Sequence, residues 1–233
     1  AKLMIHRDKL IKILQIGLPA GFQGIVFSLS NVVIQSSVNS FGKVIVAGNS
    51  AAANIEGFVY VSMNAFHQAT LSFTSQNVGA RKYHRLTRIL LIGELCAVIA
   101  GTILGSLAYA FGPTLLGIYS TSESVIEAGM LRLGVICVLY ALCGMMDVMV
   151  GALRGIGYSI MPMIVSLIGA CGVRLLWLAT IFKIEQFHSP TVIYLSYPVS
   201  WILTFVTHVI CYLIVRRKLN RIWMQQSEFS QTS

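Results

Sequence analysis

A stripe of polar side chains runs along the otherwise apolar stretch 49–79. At about 100° per residue, a helix places five of them on one narrow face. Unpaired polar groups are costly in hydrocarbon, so this face is predicted to line a polar cavity rather than meet lipid. A carboxyl group there can exchange H⁺ or Na⁺ and can attract a cationic substrate. The alternative is that it holds helices together, hydrogen-bonded to its neighbours. The five residues are Asn49, Glu56, Tyr60, His67 and Thr74.

A second candidate acid is Asp147, which lies in another apolar run. Arg154 follows seven residues later, hence on roughly the same helical face. One interpretation is a structural ion pair between the two side chains. The other is a coupling-ion or gating acid, because ionisable groups inside a membrane are functional candidates by default.

A third polar face belongs to the apolar run that begins near residue 13. Ser28, Asn31, Gln35 and Asn39 recur at helical spacing, and Gln23 precedes them. Hydrogen bonding between helices and cavity lining explain this pattern equally well. We keep Gln23, Asn31 and Gln35 as candidate cavity residues. Pro19, which we expect near the start of this helix, and Pro198 in the last apolar run are candidate structural or gating positions.

The elements that must position these groups are membrane helices. The chain has 233 residues, of which 56% are hydrophobic and only 11% charged, with a mean hydropathy of +0.76. Soluble domains carry about 25% charged residues. We therefore predict an all-α integral membrane protein with six transmembrane helices. The predicted spans are 13–41, 48–78, 86–111, 125–150, 160–182 and 191–215, flanked by a basic segment at 1–12 and a tail at 216–233.

The net charge is +9, and the basic residues are distributed along the chain as the predicted topology requires. Thirteen of the 17 basic residues lie at the two ends of the chain, in the loop after span two or in the link after span four, and only Lys43 and Lys183 lie in the alternate loops. This asymmetry predicts six spans with both ends in the cytoplasm. It also argues against nucleic acid as a partner, since the charge is explained by the lipid bilayer. Arg132 and Arg174 lie inside spans, where we expect each to snorkel or to bind a carbonyl group.

Several function classes lack support in the sequence. The five cysteines form no CxxC or Cys/His metal spacing, so neither a metal site nor a disulfide framework is predicted. No hydrolase, phosphate-loop, zinc or heme pattern is present, and no cofactor is expected beyond a coupling ion. Gly101 and Gly105 form a GxxxG pair that predicts close helix packing. The five histidines are scattered, which disfavours a membrane enzyme.

Four segments together resemble a known family: 17–42 (GLPAGFQG…FSLSNVVIQSSVNSFG), 47–60 (AGNSAAANIEGFVY), 74–85 (TSQNVGARKYHR) and 150–162 (VGALRGIGYSIMP). In this order they resemble the C-terminal half of a bacterial multidrug and toxic compound extrusion (MATE) transporter, in the branch related to the DNA-damage-inducible F proteins. The resemblance implies a two-lobed, twelve-helix antiporter of the bacterial inner membrane. This chain would be one lobe, and its partner an N-terminal six-helix lobe of the same full-length protein.

Such transporters export hydrophobic or cationic small molecules by alternating access, against an inward flow of Na⁺ or H⁺. In some members an acid on the first helix of this lobe helps bind the cation, but here that helix carries no acid. Other interpretations are a flippase for lipid-linked precursors or polysaccharides, a membrane enzyme and a non-transporting scaffold lobe. A flippase would need a basic cavity, which the two embedded arginines support only weakly.

Overall fold

The computed structural model describes residues 6–231, with side chains described through residue 221. The remaining residues of the predicted end segments, 1–5 and 232–233, lie outside this range. The long helices are α1 (Arg7–Asn39), α2 (Lys43–Gly79) and α3 (Leu86–Ala110), and the short α4 is Gly112–Gly117. They are followed by α5 (Glu123–Ile136), α6 (Tyr140–Ile156), α7 (Ile160–Ser166), α8 (Val173–Ala179) and α9 (Pro190–Gln231). Short 3₁₀ turns cover Tyr83–Arg85, Ile181–Lys183 and Glu185–Phe187, and a π-helical turn covers Leu167–Gly172.

The prediction of six spans is confirmed, with one span broken. Five helical segments are long and apolar enough to cross a membrane, and α5 with α6 makes a sixth although the two are bent by 48°. The prediction that the fourth span, 125–150, is one continuous helix is therefore wrong. After the break, α6 continues to Ile156. The break coincides with a close helix contact. A Cβ atom added to Gly105 of α3 would collide with the main-chain carbonyl of Cys137, between α5 and α6. The predicted GxxxG packing is thus present at the bend.

The first and last helices are longer than predicted. Because α1 begins at Arg7, Pro19 lies in the interior of the helix rather than near its start. Pro198 also lies inside a helix, α9, as expected. The segment 216–231, which we predict as a tail, continues α9 through Gln231. A helix of 42 residues is about 63 Å long and exceeds a hydrocarbon core of about 30 Å.

Close packing of α6 on α2 sets the centre of the bundle. Cβ atoms added to Gly151 and Gly155 would lie 2.6 Å from the carbonyl oxygen of His67 and 2.6 Å from the Cβ of Thr74. The small residues of the GALRGIG segment therefore let the two helices approach closely. Gly157 then ends α6 with φ of +109°, a conformation that glycine adopts without a steric penalty.

Many large apolar side chains of α1, α3 and α9 are exposed, as expected of helices that meet lipid or another lobe. Leu18 and Val32 of α1 are each 66% exposed. Only Ser30, Ile34 and Val38 of this helix are buried. Among the described side chains, two hydrogen bonds tie α1 to the rest of the bundle: Asn49 Nδ2 donates to Gln35 Oε1, and Arg154 Nη2 donates to Gln23 Oε1, each at 2.8 Å.

Candidate functional site

A cavity of about 690 Å³ lies between α1, α2, the α5–α6 pair, α8 and α9. Most of the polar residues singled out from the sequence line it. The structure brings together Gln23, Asn31, Gln35, Asn49, Glu56, Tyr60, His67, Asp147 and Arg154. Residues from three predicted spans and from the link after span four therefore meet around one space, which periodicity within single helices does not show.

The predicted polar stripe of α2 ends before Thr74. Thr74 is 1% exposed, is not among the cavity-lining residues, and packs against Gly155 of α6. Its hydroxyl group has no hydrogen-bond partner among the described residues. The prediction of Thr74 as a cavity residue is wrong, because the helical face that it shares with Glu56 is covered by α6 at this level.

Glu56 is tied to Arg132 rather than free. Arg132 Nε donates to Glu56 Oε1 at 2.6 Å, and Arg132 Nη2 donates to Glu56 Oε2 at 2.7 Å. The remaining terminal nitrogen, Nη1, donates to Asn49 Oδ1 at 2.7 Å. The guanidinium also lies 5.5 Å from the ring centroid of Tyr197. Such a bidentate pair neutralises both charges, so little capacity for cation exchange remains at Glu56.

The same network continues to α1. Asn49 Nδ2 donates to Gln35 Oε1, and Gln35 Nε2 donates to Asn39 Oδ1 at 3.0 Å. Charge-assisted contacts at Arg132 are thus linked through amide groups to the first helix. Of the two interpretations of the polar face of α1, hydrogen bonding between helices applies at Gln35, which also lines the cavity.

Arg132 and Arg174 do not snorkel, and that expectation was wrong. Both are buried, at 7% and 4% exposure. Arg174 Nε donates to Ser200 Oγ at 2.8 Å, and its guanidinium stacks 4.1 Å from the ring centroid of Tyr197. Both arginines line the cavity. Arg154, which we assigned to a cytoplasmic link, lines it too, since α6 extends further than predicted.

Asp147 differs from Glu56 in having no partner. Its carboxylate makes no hydrogen bond and no ion pair among the side chains described for residues 6–221; the ion pair found there is Arg132–Glu56. The ion pair with Arg154, one of the two interpretations drawn from the sequence, is therefore not formed, since Arg154 binds Gln23 instead. The Asp147 side chain is half-buried and faces the cavity. It is the better-placed of the two acids for binding a cation.

His67 is held beside Asp147 through the main chain. Its Nδ1 lies 2.7 Å from the carbonyl oxygen of Asp147, which can only accept, so Nδ1 carries a proton and donates. Gly151 lets α6 approach the main chain of His67 closely, because an added Cβ would lie 2.6 Å from the His67 carbonyl oxygen. The imidazole is therefore a fixed part of the wall, with a hydrogen bond that favours this orientation.

Sequence reasoning missed the Glu56–Arg132 pair, although a signal was present. The predicted starts of spans two and four place both residues about two helical turns inside the external surface. Opposite charges at equal depth in neighbouring helices are candidates for pairing. Among the described residues, no three His, Cys, Asp or Glu side chains come together as a metal site would require.

Comparison with known proteins agrees with this architecture. The MatE family model matches residues 19–178. The chain belongs to the MatE family. This confirms the resemblance inferred from the four sequence segments. The matched region covers most of the first five spans and most of the cavity wall, but not α9.

Several relatives of this MatE chain are described as probable multidrug resistance proteins. YoeA of Bacillus subtilis (strain 168) is 24% identical over 172 residues, which are 74% of this chain and 37% of YoeA. NorM of Aromatoleum aromaticum is 25% identical over 188 residues, 79% of this chain and 39% of NorM. The crystal structure of the Vibrio cholerae MATE transporter VcmN in the bent form aligns with a TM-score of 0.81 at 17% identity, covering 93% of this chain and 49% of VcmN. The chain thus has the fold of one MATE lobe and spans half or less of these relatives.

Proposed function

We propose that this chain is the C-terminal lobe of a two-lobed efflux antiporter in a bacterial inner membrane. The transporter would export hydrophobic or cationic organic molecules in exchange for H⁺ or Na⁺. Family membership and a match to half or less of each relative support the two-lobed arrangement. The N-terminal lobe of the same protein would then cover the cavity described above.

The observation that carries the coupling role is the unpaired carboxylate of Asp147. A negative charge in a partly dehydrated cavity without a partner gains from binding a cation. Glu56 does not share this property, since Arg132 already neutralises it. We therefore assign ion exchange to Asp147 and a structural role to Glu56.

The geometry also suggests how ion and substrate compete. Asp147 faces the same cavity as Tyr60, Tyr140 and Trp201, whose rings offer an apolar and aromatic wall to an organic molecule. An ion bound at Asp147 removes the negative charge that would hold a cationic substrate. Exchange then follows because one group cannot satisfy both cations at once.

The test uses everted membrane vesicles that contain the full-length protein, with ethidium as the exported dye. Imposed H⁺ and Na⁺ gradients are applied separately, so that the driving ion is identified. Asp147→Asn should abolish ion-driven ethidium transport at unchanged levels of folded protein, and Asp147→Glu should retain part of it. The matched acid control is Glu127→Gln on α5, which is exposed and outside the cavity. Ion-driven export by Asp147→Asn at the wild-type rate would remove Asp147 from the mechanism.

A further inference from the structure

We propose that Arg174 forms an oxyanion subsite in this cavity, which binds a carboxylate or a related acidic group of an organic substrate. This inference deepens the proposed function by naming a second feature of the substrate. It starts from a buried cation that has no counter-ion.

The orientation of Arg174 is fixed by one turn of α9. Ser200 Oγ accepts the hydrogen bond from Arg174 Nε and in turn donates to the carbonyl oxygen of Tyr197 at 2.7 Å. The Tyr197 ring lies against the guanidinium. The π-helical turn Leu167–Gly172 directly precedes α8 and packs through Gly169 against Thr204 of α9. The side chain is thus held by packing and by a satisfied hydroxyl relay.

The charge of Arg174 is left uncompensated by the described part of the chain. Its Nε–H is used, but Nη1 and Nη2 donate no hydrogen bond to any described residue, and no carboxylate forms an ion pair with it. Arg132 is the contrast within the same cavity, since all three of its nitrogens bind Glu56 or Asn49. An isolated buried cation is unfavourable, so Arg174 gains from an anion brought by a ligand.

The free edge of a guanidinium specifies the chemistry of that anion. Two parallel N–H groups match the two oxygens of a carboxylate, and similarly those of sulfonate or phosphate groups. Aromatic rings border the site: Trp201 lies 5.8 Å from the guanidinium, and Tyr140 packs edge-on against Trp201 at 5.5 Å. These surroundings favour an acidic group attached to an aromatic body.

The balance of charge in the cavity supports this assignment. The described lining residues include three arginines and two carboxylates, so one positive charge is in excess when Asp147 is ionised. Binding of a proton or Na⁺ at Asp147 increases the excess to two. A zwitterionic substrate fits both features, with its cationic end near Asp147 and its oxyanion on Arg174.

The test compares two dyes that differ at one group. Rhodamine 110 carries a free carboxylate in its open form, and rhodamine 123 is its cationic methyl ester. Binding to the purified full-length protein in detergent is measured by fluorescence anisotropy. Arg174→Gln should weaken rhodamine 110 binding roughly 10- to 100-fold, the range expected for charge-assisted hydrogen bonds, and leave rhodamine 123 binding unchanged. The matched control is Arg217→Gln on the exposed face of α9.

Arg174→Lys carries the test if the Gln variant yields too little folded protein. An ammonium group keeps the charge but lacks the planar fork, so rhodamine 110 binding should weaken several-fold with rhodamine 123 unaffected. Equal effects on the two dyes, or no binding of rhodamine 110 by the wild-type protein, would overturn the subsite. The proposed function is tested separately. If ion-driven ethidium export is absent, the anisotropy measurement can still show whether Arg174 binds the carboxylate of rhodamine 110.

Discussion

Arg132 on α5 and Glu56 on α2 form a buried, bidentate ion pair, with N···O distances of 2.6 and 2.7 Å. The pair joins the broken fourth span to the most polar helix of the bundle. It also directs Arg132 Nη1 toward Asn49, which in turn binds Gln35 of α1. Three helices therefore depend on one charge pair for their polar contacts at this depth.

Removal of one partner should destabilise the lobe strongly. Arg132→Met leaves the Glu56 carboxylate buried without a counter-charge, which typically costs about 3–5 kcal/mol. We expect a large fall in the midpoint of thermal unfolding of the detergent-purified protein, measured by fluorescence-detected size-exclusion chromatography. Glu56→Gln also leaves the buried charge of Arg132 without a counter-ion, but the loss should be smaller because the amide can still accept one hydrogen bond from Arg132.

The double variant Glu56→Gln with Arg132→Met distinguishes pairing from simple loss of packing. With both charges removed, no isolated ion remains, and much of the lost stability should return. If the fall in unfolding midpoint of the double variant equals the sum of the falls of the two single variants, the pair contributes no coupling energy.

The cavity face of α2 should be reachable from water, whereas the adjacent face meets lipid. Tyr60 lines the cavity, whereas the next residue, Val61, is 68% exposed and is not among the cavity-lining residues. In a background without the native cysteines, Tyr60→Cys should react roughly tenfold faster or more than Val61→Cys with a charged methanethiosulfonate reagent. Only a hydrated thiol ionises readily, and the thiolate is the reactive form. The comparison is made on broken membranes, so that the reagent reaches both sides.

Equal labelling of the two cysteines would contradict the assignment of the faces. Faster labelling of Val61→Cys would reverse it. Addition of ethidium supplies a further check, because an occupied cavity should protect Tyr60→Cys and leave Val61→Cys unaffected.

Composition and periodicity predicted the membrane class and the six spans, and all of the predicted cavity residues except Thr74 line the cavity. These predictions succeed because hydrocarbon requires long apolar helices and places unpaired polar groups away from lipid. Asn31, Tyr60 and Asp147 were assigned to a cavity on this ground alone, and all three line it. Thr74 was misplaced because a helical face is not uniform along its length. What covers that face depends on a neighbouring helix.

The features that the sequence did not predict, such as the helix break and the side-chain partners, depend on contacts between distant segments. The break between α5 and α6 contains neither proline nor glycine at residues 137–139, and it lies where Gly105 of α3 packs against Cys137. The partners of Arg132 and Arg154 likewise come from other helices. Helical spacing within one segment carries no information on which helix lies opposite. The extra residue of the π-helical turn at Leu167–Gly172 has no periodic signal of its own.

Gly155 should be essential for packing α6 on α2. A Cβ atom there would lie 2.6 Å from the Cβ of Thr74 and 2.8 Å from the carbonyl oxygen of Leu71, which cannot move without bending α2. We expect Gly155→Ala to destabilise the protein by about 1–3 kcal/mol, the usual cost of overpacking. The matched control is Gly21→Ala in the middle of α1, where an added Cβ meets nothing within 4 Å. That change should be neutral or stabilising by up to about 1 kcal/mol, since alanine has the higher helix propensity. Thermal unfolding of the two variants in one detergent gives the comparison, and an unchanged midpoint for Gly155→Ala would show that α2 and α6 pack less closely than the structure indicates.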